Sequence, residues 1–435
     1  MPSRSGKPLE LPVPCLLEPS FDATHPAIDR TALREFRMLT RFLIVLALST
    51  TALMTSTALA VPSVAEDWTS VRAEYDQLKT YMASKRRIGP SERTALQALQ
   101  ARLDVFLAEN PEDRRAIVLD INVASWLGQT ERVDADYERL AMLTDADAVW
   151  LAWAERHLAE NRYDDAGSLA RGREYDLAET PGIAILNARV HMSNNEFEDA
   201  LAVIDSIPED GLAKPGIRTK ANRIRGQAQR WLALWNEELA LRVAEEDAGT
   251  APIVQLITSR GPVTIMLHED QAPNTVANFI ELSERGFYNG TRFHRVEPNF
   301  VAQGGDPNSR PGSIGTPGTG GRGAQLPDEA ARTDKRQHFA GAVAMAKAPD
   351  PAKPGKSILN SASSQFYIVL EPAESLNAEY TVFGRVIDGM EAVHRLRRDD
   401  ELTAVMTISR PDREYKATTI PLPGIPAAGT TIDQP

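Results

Sequence analysis

The chain has 435 residues, of which 42% are hydrophobic and 25% charged, with a formal net charge of −12. Its length exceeds one ordinary domain, and its acidity argues against a nucleic-acid-binding surface. The single cysteine, Cys15, excludes intramolecular disulfides and cysteine-ligated zinc fingers.

Residues 1–37 are polar, proline-bearing and aperiodic, and read as a disordered or mis-assigned preface, with Met38 the expected initiator. Residues 38–60 read as a signal peptide. Arg34, Arg37 and Arg41 precede an apolar core from Phe42 to Leu48, and Ala58-Leu59-Ala60 supplies a small-x-small cleavage pattern. The apolar core is shorter than a bilayer span. The expectation is cleavage after Ala60 and export, with a periplasmic location. The alternative is an uncleaved membrane tether over residues 42–60, the one case in which a membrane is involved.

Residues 66–246 are rich in Ala, Leu, Glu and Arg, with apolar residues at helix spacing (Trp68, Val71, Tyr75, Leu78, Met82). Breakers separate the segments at Gly89-Pro90, Asn110-Pro111, Thr180-Pro181 and Ile207-Pro208. Asn161-Arg162-Tyr163-Asp164-Asp165-Ala166 recurs 34 residues later as Asn195-Glu196-Phe197-Glu198-Asp199-Ala200. That period is similar to the tetratricopeptide repeat, a pair of antiparallel helices. Ala166 and Ala200 would let paired helices approach, with Tyr163 and Phe197 filling the gap between them. Trp150, Trp153, Trp231 and Trp235 read as core. Such an array offers either a docking surface for a protein partner or a spacer.

The acidic stretch Glu245-Glu246-Asp247-Ala248-Gly249 reads as a linker into a second domain, residues 251–420. There the periodicity changes to strands: Ile253–Ile257, then Val263–Leu267 after a turn at Gly261. A helix opens at Ala272-Pro273-Asn274, and a turn falls at Tyr288-Asn289-Gly290. The run Phe293–Gln303 reads as strand, followed by a glycine-rich loop to Gly323. Further strands fall near 340–346, 365–370 and 381–387. Many short strands with few helices point to a closed β-barrel with helical caps. Residues 421–435 read as a disordered tail.

Five segments carry a resemblance. Thr275-Val276-Ala277-Asn278-Phe279, Phe293-His294-Arg295 leading to Gln303-Gly304-Gly305-Asp306, Gly318-Thr319-Gly320-Gly321, Ser364-Gln365-Phe366-Tyr367-Ile368 and Val382-Phe383-Gly384-Arg385-Val386 stand in the order found in cyclophilin-type peptidyl-prolyl isomerases. Residues 251–420 therefore resemble that family. The resemblance implies a mainly-β, closed eight-stranded barrel with two capping helices. It implies rotation of prolyl peptide bonds in proline-containing polypeptides, with no cofactor or metal. By the same resemblance, Arg295 grips the substrate carbonyl and stabilises the twisted amide. Phe300, Val301, Tyr367 and Leu376 receive the proline ring, and Gln303 binds the substrate backbone. Ala346, Lys347 and Tyr380 edge the groove, and Gly318, Thr319 and Gly320 turn beside it. Val301 stands where the family usually has methionine, Tyr367 where it has phenylalanine, and Ser375 where eukaryotic members often have tryptophan. Val301 would widen the pocket, and Tyr367 would add a hydroxyl.

Proline- and lysine-rich residues 348–357 read as a flexible insertion beside the groove. His294 reads as structural, since strand alternation points it away from the face of Arg295. Ser363 and Ser364 lack the context of a nucleophile. The competing reading is a peptide-binding or chaperone module of the same fold with little turnover.

Overall fold

The computed structural model describes residues 67–83, 88–144 and 146–422. The expected preface and signal peptide lie outside the described residues, as does the tail beyond Leu422.

The first half is helical. α1 (Trp68–Ala83) and α2 (Pro90–Glu109) are followed by α3 (Arg114–Leu127), α4 (Thr130–Thr144), α5 (Asp147–Ala159), α6 (Tyr163–Arg171), α7 (Gly182–Ser193) and α8 (Phe197–Asp205). A single turn, α9 (Glu209–Leu212), leads into the 32-residue α10 (Ile217–Ala248). Local chemistry sets the boundaries. Asp113 caps α3 by accepting from the amides of Arg115 and Ala116, and Gly128 ends it in the left-handed conformation. α5 and α6, like α7 and α8, are joined through an asparagine with positive φ: Asn161 at 59° and Asn195 at 62°. Asparagine tolerates that conformation better than other non-glycine residues. The repeat read from the sequence is thus a helix hairpin with its turn in the repeated motif. Ala166 and Ala200 are fully buried, as are Tyr163 and Phe197. Of the four tryptophans expected in the core, Trp231 is buried, whereas Trp150, Trp153 and Trp235 remain half-buried.

The second half is a sheet curled on itself. β1 (Ile253–Thr258), β2 (Gly261–Leu267), α11 (Pro273–Glu284), β3 (Thr291–Arg292), β4 (Arg295–Glu297), β5 (Val301–Gly304), β6 (Ala324–Gln325), β7 (Ala342–Met345), β8 (Phe366–Val369), β9 (Val382–Asp388), α12 (Met390–His394), β10 (Glu401–Ser409) and β11 (Ile420–Pro421) follow in order. Nine strands pair antiparallel in the order β3-β10-β1-β2-β9-β7-β8-β5-β4. The two ends of this row, β3 and β4, are halves of one segment broken at Phe293-His294, so the sheet closes through its own chain. With β3 and β4 taken together, the barrel has the expected eight strands. Its interior follows from period-two alternation: Val254 and Leu256 on β1 and Val263, Ile265 and Leu267 on β2 are fully buried. They join Phe279, Tyr288, Phe293, Phe366 and Phe383 in one core, with α11 and α12 packed at its ends.

Three sequence expectations change. Phe293–Gln303 is a hairpin, not one strand. Pro298-Asn299 forms its turn, with Asn299 at φ 60°, and β4 pairs back on β5. The acidic stretch at Glu245 is the end of α10, which continues to a left-handed cap at Gly249. Pro421, expected in the tail, is ordered: β11 pairs with β6 in a small two-stranded sheet separate from the barrel, Pro421 opposite Ala324.

Helices and barrel meet through buried contacts. Phe339, from a segment without regular structure, inserts among Phe197, Trp231 and Trp235 at ring separations of 6.1, 5.0 and 4.9 Å. Asn195 makes two 3.0 Å bonds to the backbone of Ala340, and Asn161 accepts from the amide of Asn299 at 2.8 Å. Arg336, 3% exposed, lies between Glu238 and Glu245 of α10. Burial pushes the Glu245 carboxyl up, but bonds from His268 and Arg336 outweigh it and hold the group at about 2. Replacing Arg336 with alanine would take a buried cation from two carboxylates, leaving Glu238 with Arg242 and Glu245 with His268 and Arg385. We expect Arg336→Ala to cost roughly 1–3 kcal/mol, read as a lower denaturant midpoint of the full chain.

Candidate functional site

The outer face of the barrel is built by the residues that alternate with its core. On β5, Ala302 faces inward and Val301 outward. On β8, Phe366 and Ile368 point in while Tyr367 and Val369 point out. On β7, Val343 and Met345 point in while Ala342 and Ala344 point out. The outward set forms a second apolar cluster, against which Phe300, Ala346, Leu376 and Tyr380 pack. A groove of about 1050 Å³ opens over it. All twelve residues expected at the site line this one groove: Arg295, Phe300, Val301, Gln303, Gly318, Thr319, Gly320, Ala346, Lys347, Tyr367, Leu376 and Tyr380.

Arg295 stands directly opposite Gln303 in the β4–β5 pair. Its Nε and Nη2 face Glu297 at 3.1 and 2.7 Å, and its Nη1 donates to Gln303 Oε1 at 3.3 Å. A guanidinium only donates, so it fixes the orientation of everything after it. Gln303 turns its oxygen to the arginine and its Nε2 to Gln365 Oε1 at 2.9 Å. Gln365 in turn donates to the carbonyl of Gly320 at 2.8 Å and to Asp306 Oδ2 at 3.3 Å. That same carboxylate oxygen accepts from the amides of Gly318 and Gly320, and Oδ1 accepts from the Asn308 amide at 2.7 Å. One unidirectional chain of hydrogen bonds thus ties the arginine to the glycine-rich turn across the groove. Gly305 lets it form: at φ 78° a side chain there would be strained, and its Cβ would meet the Ser364 carbonyl at 2.7 Å.

Several expected residues behave differently from their sequence reading. The hydroxyl of Tyr367 does not add a polar atom to the groove. It meets His338 Nε2 at 3.0 Å, while His338 Nδ1 faces Asn377 Oδ1 at 2.9 Å. The asparagine oxygen can only accept, so the imidazole proton sits on Nδ1, and Nε2 receives the tyrosine proton. Burial lowers His338 to about 4, only partly opposed by the Asn377 bond, and burial raises the Tyr367 phenol. Lys347 lines the groove with its ammonium turned inward to Asp328 at 2.6 Å and to the carbonyl of Glu379 at 3.0 Å, both groups being buried. The insertion at 348–357 closes on itself through a bridge between Pro349 and Ser357, and Lys356 pairs with Glu379 at 2.6 Å. His294 lines the groove beneath Gly318 instead of pointing away. It lies in the break between β3 and β4, where strand alternation does not apply. Neither of its ring nitrogens makes a well-aligned hydrogen bond, and burial lowers its pKa, opposed by Asp306 and the Arg292 backbone and assisted by Arg295 and Arg398.

Gln365, Asp306, His338, Asn377, Arg398 and Leu422 were not singled out by the sequence reading. Period-two spacing from Tyr367 puts Gln365 on the groove face, so that signal was present. Asp306 stood in a motif without a role. No local signal marks His338, Arg398 or Leu422. Among the described residues, His191, Glu196 and Asp199 bring ligand atoms within 4.8 Å of one another, but they lie on the α7–α8 hairpin and not at the groove.

Residues 253–419 match the family described as cyclophilin type peptidyl-prolyl cis-trans isomerase/CLD. A peptidyl-prolyl cis-trans isomerase of Arabidopsis thaliana is 39% identical over 148 residues, which are 34% of this chain and 82% of the relative. One from Synechococcus elongatus is 38% identical over 156 residues, 35% of this chain and 94% of its own. Among solved structures, a Cryptosporidium parvum cyclophilin-type isomerase crystallised in the presence of the dipeptide Ala-Pro is 29% identical. That likeness spans 36% of this chain and 99% of the other, with a TM-score of 0.31.

The carboxylate of Asp306 is the anchor of the glycine turn. Asp306→Ala should leave the amides of Gly318 and Gly320 without their acceptor, costing roughly 1–3 kcal/mol. The expected readout is faster hydrogen exchange at those two amides, with the β1–β2 amides unchanged.

Proposed function

Because the chain belongs to the cyclophilin-type peptidyl-prolyl cis-trans isomerase family, we propose that Arg295 and the recess beside it catalyse rotation of prolyl bonds in exported proteins. The observation that carries this reading is that Arg295 faces the same groove as Phe300, Val301, Tyr367 and Leu376.

Rotation about a peptide bond faces about 18–20 kcal/mol because the C–N bond has partial double-bond character. No covalent bond is made or broken, so no nucleophile or metal is required. The catalyst has to favour the twisted amide, whose nitrogen has lost conjugation and can accept a hydrogen bond. A donor that meets this nitrogen only in the twisted state lowers the barrier without tightening the ground state. With Glu297 and Gln303 holding part of the guanidinium, Nη1 and Nη2 each keep one N–H for a ligand. The apolar recess holds the ring while the preceding carbonyl swings. Moving exchange from about 100 s to about 10 ms takes a factor of ~10⁴, or roughly 5–6 kcal/mol. One charge-assisted hydrogen bond of about 1.5–3 kcal/mol, with ring positioning and exclusion of water, is of that order. On proline peptides, Arg295→Ala in the full chain is expected to lower kcat/KM by about 10- to 100-fold, with the fold unchanged by circular dichroism. Equal turnover in both proteins would remove Arg295 from the role.

The helical repeats serve, in this reading, first to mount the barrel and second to dock a protein partner. The mounting role is supported by the contacts of Asn161, Asn195 and Arg336 described above. The partner surface falls to the helices before Asn161. Export rests on the signal pattern at residues 38–60. It predicts a mature chain beginning at Val61, read by N-terminal sequencing of protein recovered from the periplasm. A chain retaining residues 42–60 in the membrane fraction would replace release with tethering.

A further inference from the structure

The groove differs in charge from the protein that carries it. The chain has a formal net charge of −12, yet among the described residues lining the groove none carries a carboxylate, while Arg295, Lys347 and Arg398 do line it. These three cations are not equivalent. Lys347 is buried against Asp328. Arg295 is held by Glu297 and Gln303. Arg398 has a side chain 64% exposed, and its ion pair with the neighbouring Asp399 is long, at 3.9 Å, with both groups in solvent. Such a pair contributes little and opens at little cost.

The position of Arg398 is fixed by the backbone beside it. The Asp399 amide donates to the carbonyl of Phe293 at 2.9 Å, which pins the loop after α12 against the break between β3 and β4. Arg398 therefore lines the groove close to His294, which itself lies beside the Gly318 turn. A peptide seated with its proline over Phe300 and Leu376 and running toward Gly318 passes this guanidinium.

We propose that Arg398 is a specificity-determining residue that selects prolyl peptides bearing an aspartate or glutamate close to the proline. This rests on the isomerase reading of the groove and adds the substrate class to it. The protein's overall acidity would repel such peptides at long range. The exposed Arg398 guanidinium, only loosely paired, gives them a local well and a fork that matches a carboxylate.

The test uses the full chain and a peptide series with Glu, Gln or Lys placed in turn at each of the two positions before and after one proline. The wild type should favour Glu over Lys by about tenfold in kcat/KM at one of these positions at low salt, shrinking as salt is raised. Arg398→Gln should bring that ratio to within about twofold, and Arg398→Glu should invert it. A ratio within twofold at every position in the wild type, or one that persists in Arg398→Gln, overturns the proposal. If no peptide is turned over, the isomerase reading fails on its own. The same ratios measured as affinities, by fluorescence anisotropy of labelled peptides, then decide the charge preference separately.

Discussion

The register of one short antiparallel pair governs the groove. Placing Arg295 opposite Gln303 puts a donor-only group against an amide, and the orientation of every later polar group follows from that. Gln303 and Gln365 can be satisfied in one direction only, and the chain ends on the Asp306 carboxylate, which also accepts from the amides of Gly318 and Gly320. A slip of one residue would turn Gln303 into the barrel and Ala302 outward, losing both the polar chain and the apolar core at once. The same alternation that fills the barrel therefore builds the site on its outside.

The joining of the two halves is the other organising feature. The repeated motif uses its asparagine twice, once as a turn residue with positive φ and once as a clasp on the barrel backbone. Its aromatic residue is likewise shared. Phe197 packs in its own hairpin and also against Phe339, while Tyr163 lies 4.5 Å from His394 of the barrel. Part of the surface that a repeat array could offer to another protein is thus occupied by the chain's own second half. Arg336, nearly excluded from solvent and shared by two glutamates of α10, gives that union an electrostatic lock to which Arg242, His268 and Arg385 also contribute.

The strands were legible in the sequence wherever apolar residues alternated, as in Val254, Leu256, Val263 and Ile265. The groove was legible because its residues sit in short local motifs, and all twelve fall on one surface. The hairpin at Pro298-Asn299 carried its own turn signal, masked by apolar residues on both sides. The docking was not legible. Arg336 and Glu238 are 98 residues apart, Asn195 and Ala340 are 145 apart, and no local pattern announces such pairs. Acidic runs such as Glu245-Glu246 are usually solvated, and only the folded arrangement supplies the cations that bury this one. Tyr367 illustrates the same limit. Its hydroxyl is neutral to the groove only because His338, 29 residues earlier, faces it.

The two clasping asparagines stand one repeat apart, yet they seize different segments of the barrel, near Asn299 and at Ala340. The helical array consequently works as a ruler with two fixed marks. An extra hairpin gained between those marks by recombination would carry the second clasp one unit out of reach, whereas hairpins gained before the first mark would lengthen the array and leave the seat of the barrel untouched. Growth of this architecture is therefore free at one end only.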